Sequence, residues 1–362
     1  MARTRLNIFF YLAFMAGSNA LYADDTGIIW HGFFTAGGAL SDSSTPYQES
    51  IDNKGTFGLT RFGLTASKEL EHNWTVAGQV IAHVGETVGF EGEEVVSLDW
   101  AYATYRPHDS FNLLVGKIKY PNNLASEYLE VGYAYPWIRP PQEFYDHGDL
   151  GPHIASEALS GVSAIFRSRP GSGVRFSLQP FAGESSGVDG RNKKLVGLKT
   201  GMTGEGFEAI AGYSRSLLVL DATSPRLAET DDKYQQAWNL GASLERSRAV
   251  IYTEYGQSSV EDNPDFKTRA GYITAGYRFG KYLPHLTHAR FKQDSGLGQS
   301  STTLGLRYEL SDSSAIKFEW QDIRPKQRTT PLVGGEQPAG LFGTKPTEDR
   351  INVYAATIDF VF

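Results

Sequence analysis

The last twelve residues, Ile351–Phe362, read INVYAATIDFVF and alternate in character from one residue to the next. From Tyr354 to Phe362, every second side chain is apolar or aromatic, whereas the opposite row carries Thr357 and Asp359. A period of two is that of a β-strand with two different faces, and a helix cannot use it. We therefore predict a strand that keeps its apolar face outward up to the last residue.

The same alternation recurs along most of the chain. Examples are WTVAGQVIAHV, VVSLDWAYATY, TTLGLRYEL and AIKFEWQ. In the second of these, strict alternation places Leu98, Trp100 and Tyr102 on one face and Asp99 on the other. About sixteen such segments are expected, as in outer-membrane barrels, whose strand numbers are even and whose strands have about ten residues. The predicted strands start near Gly27, Gly55, Asn73, Glu94, Phe111, Leu159, Val174, Leu195, Gly206, Gln236, Arg248, Lys267, Leu283, Ser301, Ala315 and Arg350.

The connections between these segments alternate between short and long. Short ones include LEHN, RPHDS, TGEG, LERSR and LSDSS. An up-and-down membrane barrel has short turns at one end and long loops at the other, whereas a soluble sandwich has no reason to keep this rule. The fold class predicted is all-β, a transmembrane antiparallel barrel of one domain. The long connections lie around Ser41–Asn53, Gly85–Glu93, Tyr120–Ala158, Glu184–Lys194, Ser216–Tyr234, Gln257–Phe266, Lys292–Ser300 and Arg324–Asp349.

The first residues have the pattern of a secretory signal peptide. Arg3 and Arg5 precede a short apolar run that begins at Leu6, and small residues follow. The run is too short to cross a membrane as a helix, which needs about 20 residues. Cleavage after Ala20 or after Ala23 fits the pattern, and residues 1–23 are assigned to the signal and 24–362 to the barrel. The chain has no cysteine, which excludes disulfides and thiolate metal sites.

Charge argues against nucleic acid as a partner. Without Arg3 and Arg5, 32 basic residues face 41 acidic ones, a net charge of −9. Contacts to phosphate groups supply most of the affinity of nucleic-acid binding, so an acidic exported chain is a poor candidate. The stretch GESSG and the pair His285 and His288 resemble a hydrolase elbow and a metal site, but both lie in strand-rich sequence where neither arrangement forms. No cofactor is expected.

With this signal peptide, strand number and terminal aromatic, the chain resembles the sixteen-stranded porins of Gram-negative outer membranes. The resemblance covers the whole mature sequence and implies an integral outer-membrane protein, a homotrimer, and passive diffusion of small hydrophilic solutes and ions. It also implies that the barrel-assembly machinery recognises the last strand, and that outer-membrane lipid surrounds the barrel. The residues of the implied assembly signal are Tyr354, Ile358, Phe360 and Phe362.

The longest loop, Tyr120–Ala158, follows the fifth predicted strand, as does the loop that narrows the channel in porins. It is called the long loop below. Porins of the enteric type carry a Pro-Glu-Phe-Gly-Gly stretch here, whereas this loop reads PNNLASEYLEVGYAYPWIRPPQEFYDHGD. The residues predicted to form the constriction are Glu127, Glu130, Tyr133, Tyr135, Trp137, Arg139, Glu143, Asp146 and Asp149.

Basic residues of the strands are predicted to face the loop across the channel. On the fifth strand, LLVGKIKY, alternation assigns Lys117 and Lys119 to the lumen and Leu114 and Ile118 to lipid. An acidic loop opposite a basic wall would set up a transverse field and an ion preference. The predicted basic wall consists of Arg61, Lys117, Lys119, Arg175, Arg307 and Lys317, with Glu319 and Asp359 on the same lumenal rows.

Three other functions are compatible with parts of this pattern. A substrate-specific channel would use Tyr133, Tyr135, Trp137 and Arg139 as a solute site. An outer-membrane enzyme would be a smaller barrel with a Ser/His or Asp/His set at its mouth, which the sequence does not show. A secreted β-rich adhesin would not enter the membrane. A receptor with a plug domain is excluded, because a 22-stranded barrel and its plug exceed 362 residues.

Overall fold

The computed structural model describes residues 27–48, 50–84, 95–145, 157–168, 173–187, 190–220, 230–329 and 338–362. The predicted signal peptide lies outside these residues. One short 3-10 turn, Gly132–Ala134, and one short helix, α1 (Gln142–Tyr145), both lie in the long loop. The strands are β1 Ile28–Ser41, β2 Arg61–Glu69, β3 Trp74–His83, β4 Val95–His108, β5 Phe111–Lys119, β6 Ala158–Arg167, β7 Arg175–Gly187, β8 Gly190–Gly204, β9 Phe207–Leu220, β10 Tyr234–Arg246, β11 Ala249–Val260, β12 Asn263–Tyr277, β13 Tyr282–Gln293, β14 Gly298–Ser311, β15 Ser314–Lys326 and β16 Ile351–Val361.

The sixteen strands form one closed antiparallel barrel in which each strand pairs with its sequence neighbours. β16 closes the barrel between β15 and β1, with Phe360 opposite Phe34 on β1 and Ser314 on β15. Phe362 continues this ladder, because its backbone exchanges two hydrogen bonds with Gly32. The all-β barrel predicted from the alternation is confirmed, including the role of the last strand. Closure leaves neither β1 nor β16 with a free edge.

The outside of the barrel is apolar and the inside is polar. Val80, Leu240, Ile273 and Phe318 are exposed on the outer surface. Side chains of the alternate rows, such as Gln79, Asn239 and Thr357, are buried and point inward. This arrangement suits a wall with lipid outside and polar contents inside. In the described part of the chain, no helix is long and apolar enough to cross a membrane.

The predicted strand starts agree with the structure to within three residues except at three strands. β2 begins at Arg61 instead of near Gly55, β8 at Gly190 instead of Leu195, and β12 at Asn263 instead of Lys267. Three of the predicted long loops are wrong, because the strands continue into hairpins. β11 and β12 are joined by residues 261–262, β13 and β14 by 294–297, and β7 reaches Gly187, close to the start of β8.

A β-bulge reverses the alternation of β4. Gln79 pairs with Trp100 and Val80 pairs with Leu98, so Asp99 is an extra residue in the ladder. An extra residue shifts every following side chain to the other face. Leu98 therefore stays exposed outside, whereas Trp100 and Tyr102 turn into the barrel and become buried. The prediction that these three share one face is wrong for this reason.

The apolar core of the protein lies inside the barrel and includes the long loop. The loop residues Leu124, Tyr135, Trp137 and Phe144 pack against strand residues of β9 to β13. A second apolar cluster joins the long loop to the loops that carry Tyr47 and Phe342. The rings of these two residues pack at a tilt, with centroids 4.9 Å apart. The long loop is thus a packed interior element.

Candidate functional site

Two basic side chains of the barrel wall hold the backbone of the long loop. Lys317 of β15 donates hydrogen bonds to the carbonyls of Gly132 and Trp137, and its ammonium lies 3.2 Å from Asp359. Arg307 of β14 donates to the carbonyls of Tyr133 and Tyr135 at 2.6 and 2.8 Å. Both side chains are buried, so their charges satisfy loop carbonyls. Both face the lumen side, as the alternation predicts.

Carboxylates of the wall hold the loop as well. Glu254 of β11 accepts hydrogen bonds from the hydroxyl of Tyr145 and from the backbone of Leu124. Glu319 of β15 accepts from the backbone of Ile138 at 2.9 Å. The wall that meets the loop is therefore mixed in charge, and the simple opposition of an acidic loop and a basic wall is not what the structure contains on this side.

The aromatic residues predicted for a solute site are packed into the core. Tyr135 and Trp137 are 1% and 2% exposed, and the Trp137 indole donates to the hydroxyls of Thr274 and Thr287. Tyr133 donates from its hydroxyl to the Asp312 carbonyl at 2.9 Å. These side chains position the loop and have little surface left for a solute. Arg139 lies over the Tyr47 ring, and buried Glu143 accepts a hydrogen bond from Gln299.

One predicted pair of opposite charges does meet across the lumen. Arg61 of β2 lies 3.8 Å from Glu130 of the loop and donates to the Tyr135 hydroxyl at 2.7 Å. Burial, together with the nearby Glu157 carboxylate, raises the pKa of Glu130 to about 8, against the opposing effect of Arg61. Glu130 therefore binds a proton near neutral pH more readily than an ordinary glutamate.

Lys119 belongs to a second buried ion cluster beside this pair. Its ammonium lies 2.6 Å from Asp99, the bulge residue, and 2.9 Å from Glu157 near the end of the long loop. Gln79 donates to the other oxygen of Asp99 at 2.6 Å. The cluster fixes both ends of the loop where it leaves and rejoins the wall.

Lys117 lies on the face opposite to that predicted. It shares its strand face with exposed Val115 and donates to the Leu98 carbonyl, whereas Leu114 and Ile118 line the interior. The alternation of β5 is unbroken from Asn112 to Ile118, so the prediction is wrong because the apolar row of this strand was assigned to lipid, whereas it faces the interior. Arg175 shares the inward row of Ser177 and is exposed at the turn end of β7. Asp146 and Asp149 lie outside the described residues.

A cavity of about 780 Å³ lies between the loop and the short turns. The inner faces of β2–β11 border it, the first strands with polar side chains and with Trp100, Tyr102 and Leu114, and β13 and β14 add Leu283, Arg307 and Glu309. The loop contributes Glu127 and Tyr128 from the other side. We call the lumenal face of β2–β8 the open wall, which bonds the loop through Arg61 and Lys199. We call that of β11–β16, which makes more of the bonds to the loop, the pinned wall.

Several residues of this interior were not singled out from the sequence. Glu254 was missed because a single glutamate in a predicted strand has the pattern of a solvated side chain in the lumen. Trp100 and Tyr102 were placed on the same face as Leu98 because a bulge leaves no mark in a two-residue period. No three His, Asp or Glu side chains are grouped to hold a metal ion within the described ranges.

Comparison with solved structures shows which known barrels this one resembles. An anion-selective porin from Comamonas acidovorans has a TM-score of 0.61 and 14% identity, over 92% of this chain and 99% of that one. OmpF of Salmonella typhi, solved with daunomycin, has a TM-score of 0.60 and 14% identity, over 92% and 97%. The chain shares its fold with the outer-membrane porins.

A third structure, the outer-membrane expressed OmpT of Vibrio cholerae, has a TM-score of 0.59 and 13% identity, over 96% of this chain and 99% of that one. No protein-family model matches the chain, and no curated protein sequence matches it either. At these identities the porin-like architecture is shared, and the chemistry inside the barrel has to be argued from the residues of this chain.

Proposed function

We propose that the protein is a channel of the Gram-negative outer membrane through which small hydrophilic solutes and ions diffuse passively. The observation that carries the proposal is the cavity of about 780 Å³ inside a closed barrel with a folded-in loop. Channels filter solutes by width and by the charges along the path. Arg61, Glu130 and the polar row of the open wall supply such charges and hydrogen-bonding groups.

The location follows from the same architecture. A sixteen-stranded barrel with an apolar exterior, together with outer-membrane neighbours of the same fold, points to the outer membrane. The packing of the Phe362 ring over Gly32 supports the proposal that the last strand serves as the assembly signal. Deletion of Phe362 is expected to reduce the amount of heat-modifiable barrel in outer-membrane fractions. Normal amounts would contradict this role.

A homotrimer is the assembly that we propose. The outer rows of β1–β3 and β16 carry many small residues, including Ala36, Gly38, Gly78 and Ala356, which allow two barrels to approach closely. One neighbour of the same fold, OmpT of Vibrio cholerae, is described in a trimer form. Chemical cross-linking of protein extracted in mild detergent tests this, with a trimeric band as the expected result and a lone monomer as the contrary one.

The direct test of the channel is a planar-bilayer recording of the purified protein in KCl. We expect discrete current steps with a nearly linear dependence on voltage, because a fixed path needs no gating. Protein that inserts without current steps would contradict the proposal.

A substrate-selective channel is the second candidate, and the apolar patch of Trp100, Tyr102, Leu114 and Ile118 on the open wall favours it. Such a patch is unusual beside a path for hydrophilic solutes. An outer-membrane enzyme is less well supported, because that alternative predicts a smaller barrel than the sixteen strands found.

A further inference from the structure

Two carboxylates of the cavity stand apart from its other glutamates. Glu309 is ion-paired with Arg307, and Glu245 accepts a hydrogen bond from Tyr252. Glu127 of the long loop and Glu208 of β9 are half-buried and line the same cavity. Within the described ranges, neither carboxylate has a hydrogen bond or a close ion pair. Two half-desolvated carboxylates without a bonded partner are available to a ligand.

The Tyr102 hydroxyl is a second, independent sign of a ligand site. Tyr102 is only 9% exposed and lines the cavity, and its hydroxyl has no hydrogen-bond partner in the described structure. The side chain points inward only because of the bulge at Asp99. Its ring stacks on Trp100 with centroids 5.1 Å apart, so an aromatic surface and an unsatisfied oxygen face the same space.

The pKa of the Tyr128 hydroxyl reports the electrostatic effect of the nearby carboxylates. Tyr128 follows Glu127 in the loop and lines the cavity. Burial raises the pKa of Tyr128 well above its ordinary value, and the carboxylates of Glu208 and Glu254 raise it further. Burial opposes a charge of either sign, but the effect of the carboxylates opposes a negative charge and favours a positive one close by.

Lys199, the basic side chain that acts electrostatically on Glu208, does not cancel the charge of both carboxylates. Lys199 of β8 lines the cavity and donates a hydrogen bond to the carbonyl of Asn123 at 3.2 Å, so part of its donor capacity is used by the loop. Glu127, Glu208 and Lys199 together carry a charge of −1. A monovalent cation would neutralise it.

We propose that Glu127, Glu208 and Tyr102 form a solute site for organic cations, an ammonium group carried on an aromatic or hydrocarbon body. The ammonium lies between the two carboxylates and donates to the Tyr102 oxygen. The tyrosine rings attract it through cation–π contacts, and the body packs on Trp100 and Leu114. A cavity of about 780 Å³ is large enough for a molecule of this size. This proposal rests on the proposed channel function and names its preferred solute class.

The test uses benzylammonium as a blocker of the KCl current, with benzoate and benzyl alcohol as probes of the same size and other charge. We expect benzylammonium to block at concentrations about tenfold lower than either other probe, which corresponds to roughly 1.4 kcal/mol. Combining Glu127→Gln with Glu208→Gln should raise the half-blocking concentration about tenfold. Tyr102→Phe, which keeps the ring and removes the hydroxyl, should give a smaller increase of about threefold.

Glu245→Gln is the matched control. It removes one negative charge from the same cavity, but the carboxylate that it replaces is already bonded to Tyr252. The block should change by less than about twofold. An effect as large as that of the double variant would overturn the site, because the block would then report only the average charge of the cavity. Equal block by benzoate would overturn it as well.

A calorimetric titration of the detergent-solubilised protein with benzylammonium separates the site from the channel. If the bilayer shows no KCl current, the proposed function fails, and the titration still reads the site. Binding that is lost in the double variant supports the site, and absence of binding to the unmodified protein overturns it.

Discussion

The two sides of the barrel interior use similar residues for different purposes. On the pinned wall, Lys317, Arg307 and Glu254 are buried and bonded to the long loop. On the open wall, Asn112, Ser177 and Gln179 border a cavity, and in the described chain no side-chain hydrogen bond joins them to the long loop. An inward-facing charge in a barrel is therefore not by itself evidence of a role in transport.

Burial separates the two cases. A charge that is fully desolvated is retained only when bonds satisfy it, and on the pinned wall the loop backbone supplies those bonds. The cavity-lining side chains of the open wall can exchange one solute or water contact for another. Conduction is therefore expected to follow the open wall, and stability to depend on the pinned wall.

Lys317→Ala should have the largest effect on the pinned wall. It removes the counter-charge of the buried Asp359 carboxylate and the donor to two loop carbonyls, and breaking a buried pair costs about 3–5 kcal/mol. We expect a lower free energy of unfolding in denaturant titrations and a larger, noisier single-channel current as the loop loosens. Lys117→Ala, at an outward-facing lysine, is the control and should change neither stability nor current. If Lys317→Ala also left both unchanged, the distinction between the two walls would be wrong.

Gly132→Ala should loosen the same contact from the loop side. A Cβ at this position would lie 2.3 Å from the Asp359 carboxylate oxygen and 2.7 Å from the Thr35 hydroxyl, which are hydrogen-bonded to each other. Such overpacking costs about 1–3 kcal/mol. The loss is measured by denaturant titration against Gly343→Ala, where a Cβ meets nothing within 4 Å. Equal stability of the two variants would contradict the close packing of the loop against Asp359 and Thr35.

The pH dependence of stability tests whether Glu130 is buried and protonated in the folded protein. Because burial raises its pKa from 4.5 to about 8, the folded protein holds this proton more tightly than the unfolded chain. Its contribution to stability is therefore complete below pH 4.5 and is lost as the pH rises towards 8. Thermal unfolding of the unmodified protein and of Glu130→Gln should diverge over this range, with the variant more stable at high pH. Parallel curves would show that Glu130 is not buried as described.

The smallest effect is expected from Lys117→Glu. Since Lys117 lies on the outer face, reversal of its charge should leave the ion selectivity, measured as the reversal potential in a KCl gradient, almost unchanged. Gln179→Glu places a new charge on the open wall and should shift the reversal potential towards cation selectivity. A larger shift from Lys117→Glu would restore the assignment that simple alternation predicts.

The comparison of the two walls also shows how much of the structure can be predicted from the sequence. Alternation predicts the strands, the closure by Ile351–Phe362 and the inward orientation of Lys317. In a regular strand, the face to which one side chain points determines the faces of its neighbours. Alternation fails at Trp100, where a bulge changes the phase, and at Lys117, where the apolar row of the strand faces the interior instead of lipid. The path of the long loop is set by contacts between distant residues, so the pinning of Tyr135 and Trp137 leaves no local pattern to read.

Cysteine accessibility during current recording tests most directly whether ions pass along the open wall. The chain has no cysteine, so a single introduced thiol reports one position. Ser177→Cys borders the cavity, whereas Thr274→Cys replaces a fully buried side chain bonded to Trp137. A charged methanethiosulfonate reagent should reduce the current of Ser177→Cys and leave that of Thr274→Cys unchanged. Reaction at Thr274→Cys, with none at Ser177→Cys, would contradict the account.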